Sequence, residues 1–185
     1  MTQKLIYCLF FGAGLGIFNA ILRSHQFDYQ FLALGLLIFA IDQAKMAVLD
    51  LNNIAIAKTK IQDPRLDQFY FITISTITLE LTGFYLAVFQ LGWGILLVLG
   101  SQVWFNLLVN IRLQPNDVNP IQNKPISEKV GVLLADIVGM ILIGVWMIPV
   151  APLTIVITLW TIAIAYAGIK LFQAIQVKRS VNLKA

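Results

Sequence analysis

Phe69-YFITISTITLELTGFYLAVFQLGWGILLVLGSQVWFNLLVN-Ile111 is mostly apolar for 43 residues. A bilayer's hydrocarbon core is ~30 Å thick and takes about 20 residues of helix. The stretch is therefore too long for one span and suits two. Gln90-Leu-Gly-Trp-Gly94 supplies the break, because two glycines make a tight turn easy. One span is expected over about 69–89 and the next over about 94–111.

Working outward, the same reading recurs. Leu5 to Leu22 is a clean apolar run between Lys4 and Arg23. It is long for a signal-peptide core and has no A-x-A-like site before Arg23, so it is read as a helix over 5–22. A second run starts near Tyr29, meets Asp42, Gln43 and Lys45, and continues to Leu49, giving a helix over 29–49. Polar residues fill Asn52 to Gln68 and again Arg112 to Lys129. Two further spans are expected over 130–148 and 153–173, with Pro149 and Pro152 bracketing the turn between them.

Composition agrees. The 185 residues are 59% hydrophobic and 12% charged, against about 45–50% and about 25% in soluble domains. That excludes a soluble enzyme, a nucleic-acid binder and a disordered tail. The fold expected is all-α: one polytopic integral membrane domain over 1–185, with six transmembrane helices in three hairpins. Its place is a bacterial inner membrane or an organelle membrane, and its immediate partner is the lipid bilayer. The connections are too short to hold a soluble domain.

Lysine and arginine placement sets the expected orientation. Lys4, Lys58, Lys60, Arg65, Arg112, Lys124, Lys129, Lys178, Arg179 and Lys184 fall on one side of a six-span chain, and Arg23 alone falls on the other. Lys45 and Lys170 lie near helix ends, where long side chains snorkel. Both termini are thus expected on the cytoplasmic side or its equivalent.

The polar residues at membrane depth are the candidate sites. Glu80 lies near the middle of its span, where a carboxylate costs about 2.5–3.5 kcal/mol on insertion scales. Eleven Leu, Ile, Val and Phe residues between 69 and 89 offset that cost. Thr73, Thr76, Glu80 and Gly83 share one helical stripe, and Gln102, Asn106 and Asn110 form a stripe on the next helix. A hairpin makes the two helices neighbours, so the amides are placed to donate to the carboxyl.

Asp136 is expected about a third of the way into its span, and Asp42 near the end of the second. Intramembrane carboxylates are functional by default, and a structural hydrogen bond is the competing role. Asp42 and Lys45, three apart, are spaced to pair near the headgroups. Substrate- or proton-path candidates are therefore Glu80, Asp136, Gln102, Asn106, Thr76 and Asp42. Gly12 and Gly16, and Gly131 and Gly139, lie in small-residue ladders that let helices approach closely.

The sequence has no H-E-x-x-H, G-x-S-x-G or phosphate-loop motif, and Asn116-Asp117 stands alone rather than in an Asp-rich pair of motifs. Cys8 is the one cysteine and His25 the one histidine, so no disulfide, bis-histidine haem or zinc site is expected. No cofactor is expected. The three-hairpin plan, with a proline at one tip, loosely resembles the small six-helix HdeD-type stress proteins, mainly across 130–173. That likeness carries no residue roles with it.

These observations point first to a small carrier or ion-conducting protein, working as a homo-oligomer. The alternatives are a non-catalytic accessory or assembly subunit of a larger membrane complex and, last, a lipid-modifying enzyme.

Overall fold

The computed structural model describes residues 3–114, 120–148, 151–162 and 164. It is an all-α bundle of several long apolar helices, the make-up of a multi-pass membrane protein. Helices α1 (Gln3–Arg23), α2 (Phe27–Lys60), α3 (Pro64–Phe89), α4 (Leu91–Leu108) and α5 (Ile126–Met147) are each long and apolar enough to cross a bilayer. A shorter apolar helix, α6 (Pro152–Ile162), follows. The remainder of the sixth expected span, Pro149 at its turn, and Lys170, Lys178, Arg179 and Lys184 lie outside the described residues.

Two connections differ from the expectation. The polar stretch after Leu49 is helical. Helix α2 runs on to Lys60 for 34 residues in all, about 51 Å at 1.5 Å per residue. Its last turns keep a buried face, with Ile54 2% and Ala57 0% exposed. Only residues 61–63 separate it from α3, which starts on a capped end. Asp63 accepts from the Arg65 backbone N–H at 2.9 Å, and Pro64 occupies the first turn, where a missing N–H costs nothing. The Arg65 guanidinium also donates to Asp63, which holds that carboxyl below the usual carboxylate range.

The second difference is a small antiparallel hairpin between α4 and α5. Strand β1 (Ile111–Leu113) pairs with β2 (Ile121–Asn123), Arg112 opposite Gln122. Helix α4 accordingly spans 91–108 rather than 94–111, and Ile111 is buried against α2 and α3 with Ile54, Phe69 and Ile72.

The α3–α4 turn is tighter than two glycines in a loop. Gln90 alone is non-helical: its N–H donates to Leu86 O at 2.8 Å, and its carbonyl accepts from Gly94 N–H at 3.0 Å. No described glycine has positive φ. Gly92 and Gly94 instead sit inside the first turn of α4. A Cβ on Gly94 would lie 2.4 Å from the Ala87 backbone nitrogen, and one on Gly83 would lie 2.9 Å from the Gly94 carbonyl. The glycines serve close approach of α3 and α4, which share the largest interface in the bundle.

The core centres on Phe84, fully buried. Phe10 of α1 meets it edge-on with ring centroids 5.7 Å apart, and Phe39 of α2 lies 6.4 Å away. Two helices thus lock onto α3 one turn from Glu80. At one end of the bundle, Gln3 Nε2 donates to Asn52 Oδ1 at 2.7 Å, and Lys58 pairs with Asp67 at 2.6 Å. Lys4, Lys58, Lys60, Arg65, Arg112, Lys124 and Lys129 gather at that end. Arg23 sits at the other end, in a shallow pocket with Tyr29 and Phe89.

Candidate functional site

Glu80 is buried to 2% exposure on the face of α3 that packs against its neighbours. Its Oε1 accepts from Gln102 Nε2 of α4. The same Gln102 NH2 group donates to Gln43 Oε1 of α2 at 3.3 Å. Two oxygens from different helices thus converge on one amide of a third. The buried carboxyl thus keeps a partner and is not left orphaned.

The α4 stripe carries polarity away from this point. Asn106, 4% exposed, donates through Nδ2 to the Gln102 carbonyl at 3.0 Å. Its Oδ1 accepts from Lys124 Nζ at 3.4 Å. Asn110, expected on the same helical stripe, instead lies past the end of α4; its Oδ1 accepts from Lys129 Nζ at 2.8 Å, and Lys129 is itself buried. Asp50 of α2 is half-buried and lies within electrostatic reach of both Lys124 and Glu80. The result is a polar column from the end holding the basic residues to Glu80, walled by α2, α3 and α4.

The threonines of the α3 stripe do less. Thr76 Oγ1 donates to Ile72 O at 2.9 Å and Thr73 Oγ1 to Phe69 O at 2.8 Å, so both hydroxyls are satisfied within their own helix.

Asp42 and Asp136 stand apart from the column. Asp42 and Lys45, expected near a helix end, lie about midway along α2 because that helix runs on to Lys60; both are on its exposed side and form no ion pair with each other among the described residues. Asp136 is half-buried on α5, and its Oδ2 is buried with no hydrogen-bond partner among the described residues. Of the four ladder glycines, Gly12 lies against the Tyr85 hydroxyl and Gly16 against Val88, both on α3. Gly139 faces Leu99 of α4, while Gly131 faces open space.

Gln43, Asp50, Lys124 and Lys129 belong to this cluster and were not among the sequence candidates. For Gln43 a signal existed. It lies seven residues after the buried Leu36, two turns along the same face, whereas Asp42 is rotated well away from that face. For the lysines no signal existed, because the β1–β2 hairpin that folds them back onto α4 has no strong local signature.

The described residues contain no group of three or more His, Cys, Asp and Glu side chains that could hold a metal ion. Chemically, the cluster offers the carboxyls of Glu80 and Asp50, the ammonium groups of Lys124 and Lys129, and several amides in a low-dielectric setting. No family model, no curated protein and no solved structure matches this chain.

Proposed function

We propose that this chain is a small membrane carrier or ion-conducting protein that works through the Glu80 carboxyl, without a catalytic step of its own. On this reading residues 1–185 form one membrane domain whose basic connections face the cytoplasm or its equivalent. The observation that carries the reading is the grip on Glu80. A carboxyl 2% exposed is held by Gln102, with Gln43 of a third helix sharing the same amide. A register-fixing hydrogen bond needs one partner. Here the polar side chains continue through Asn106 and Asn110 to the basic end, as a path would.

The test is flux in proteoliposomes, with proton- and cation-sensitive dyes inside. Wild-type protein is expected to dissipate an imposed gradient faster than empty vesicles. Glu80→Gln, which keeps the shape and can still hydrogen-bond, is expected to insert normally and lose that activity. Wild-type rates in Glu80→Gln would sink the reading.

A second reading, an accessory subunit of a larger membrane complex, has its own observation. Helix α5 carries Asp136 with one oxygen unpartnered among the described residues and leaves Val130, Leu134, Ile137, Val138, Ile141 and Val145 exposed. Co-purification of a stoichiometric partner in mild detergent, lost in Asp136→Leu, would favour it.

A further inference from the structure

At the end of the bundle away from the basic connections, α1, the start of α2 and the end of α3 leave a notch of about 360 Å³. Four polar side chains line it: Asn19 and Arg23, one turn apart on α1, Ser24 just past that helix, and Tyr29 in the first turn of α2. Arg23 is the one lysine or arginine at this end among the described residues.

The hydrogen-bond acceptors around the notch are already in use. The Ile21 and Ser24 carbonyls accept from Gln30 Nε2 at 3.3 and 2.7 Å, and the Ser24 hydroxyl oxygen accepts from the Gln26 N–H at 3.2 Å. Asp28 does not line the notch; it accepts from Trp146 Nε1 at 3.0 Å. The donors are in the opposite condition. Among the described residues, the Arg23 guanidinium, the Asn19 amide and the Tyr29 hydroxyl have no hydrogen-bond or ion-pair partner, and the Ser24 hydroxyl proton is not donated.

Surface donors ordinarily meet water. These four converge over an apolar floor, where Gly16 and Ala20 of α1 meet Val88 and Phe89 of α3. Phe89 is 84% exposed, and Trp93 at the start of α4 is 57% exposed. Exposed aromatic side chains at the end of a membrane bundle mark the headgroup level.

Converging donors with one net positive charge match a phosphodiester. A guanidinium grips its two free oxygens through parallel N–H donations, and amide and hydroxyl donors fill the remaining lone pairs. No carboxylate lines the notch to receive an ammonium or choline group, so a headgroup charged only at its phosphate fits better than a zwitterionic one. The apolar floor suits the start of an acyl chain, which a free phosphate lacks.

We propose that this notch binds the phosphate of an anionic phospholipid from the leaflet at the Arg23 end, with an acyl chain leaving over the Gly16–Val88 floor. The site is separate from Glu80 and does not depend on what Glu80 does.

The experiment is thermal unfolding of the full chain in detergent, titrated with dioctanoyl-phosphatidylglycerol, with dioctanoyl-phosphatidylcholine, and with sodium phosphate at constant ionic strength. A saturable rise in melting temperature is expected with phosphatidylglycerol alone. Arg23→Gln is expected to weaken apparent affinity for it by roughly tenfold or more, and Asn19→Ala by about threefold. Arg112→Gln, at the basic end, is expected to leave the affinity unchanged. Both α1 positions are exposed, and folding of each variant is checked by its melting transition without lipid. Where Arg23→Gln fails that check, Arg23→Met takes its place. An equal shift with phosphatidylcholine, an equal affinity in Arg23→Gln, or a loss confined to Arg112→Gln overturns the proposal. An Arg23-dependent shift with sodium phosphate as large as that with the lipid overturns it too, and makes the notch a site for the free anion.

Discussion

Helices α3 and α5 each carry one carboxylate within a long apolar stretch, and they house it differently. Around Glu80 on α3, four helices interlock: Gly83 and Gly94 let α3 and α4 touch backbone to backbone, and Phe10 and Phe39 of α1 and α2 close on Phe84. The carboxyl there has a dedicated donor. Helix α5 rests mainly on α4, exposes half of its large apolar side chains, and leaves Asp136 Oδ2 unpartnered among the described residues. Depth in the sequence does not by itself separate the two acids. What separates them is whether neighbouring helices supply polar groups at the same level, because a carboxyl in low dielectric is governed by its partners rather than by its position.

The contrast can be broken by mutation. The largest effect is expected from Gly94→Ala, since a Cβ there would lie 2.4 Å from a backbone nitrogen that cannot swing aside. A loss of about 2 kcal/mol or more is expected in detergent unfolding. Gly131→Ala on α5, with nothing within 4 Å of the new Cβ, is expected to be neutral or to gain up to about 1 kcal/mol from helix propensity. Equal losses at the two sites would erase the distinction.

Next comes Gln102→Leu. It keeps the volume but strands the Glu80 and Gln43 oxygens, and about 1–3 kcal/mol is expected to be lost by the same measurement. Adding Glu80→Leu to it is expected to recover part of that loss, because both polar partners are then gone. A smaller effect, about 1 kcal/mol, is expected for Trp146→Phe. That change removes the 3.0 Å donation from Trp146 Nε1 to Asp28 Oδ2, which ties the end of α5 to the start of α2. Smallest is Asp136→Asn in the isolated chain, expected within about 0.5 kcal/mol of wild type, since no described partner is lost. A large loss there would mean that Asp136 is gripped as firmly as Glu80.

Much of this was legible from residue order. The apolar runs give α1, α3, α4 and α5 to within a few residues, because length and hydropathy are what a bilayer selects. The pairing of the Glu80 stripe with the Gln102 and Asn106 stripe follows from helical spacing and a tight hairpin. The misreadings have physical causes. Helix α2 passes Leu49 because Ile54 and Ala57 keep one buried face through a polar stretch, so mean hydropathy fell while periodicity did not. Asp63-Pro64 was a legible helix start. The glycines near Gln90 signalled a turn, yet they serve contact, which composition cannot tell from flexibility. Lys124 and Lys129 read as charges that set orientation. Their return to Asn106 and Asn110 depends on the β1–β2 hairpin, a non-local pairing with no periodic trace.

On the proposed reading, α3 and α4 cross a bilayer with Glu80 inside it and the polar column opening toward the basic end. Single cysteines placed in a Cys8→Ala background test that directly, with a membrane-impermeant maleimide applied to right-side-out and inverted vesicles. Thr59→Cys and Asn123→Cys, both at exposed positions, are expected to react in one orientation only and in the same one. His25→Cys and Trp93→Cys are expected to react only in the other, and Ile141→Cys in neither. Reaction of positions 59 and 123 from opposite faces, or of positions 59 and 93 from the same face, would contradict the account.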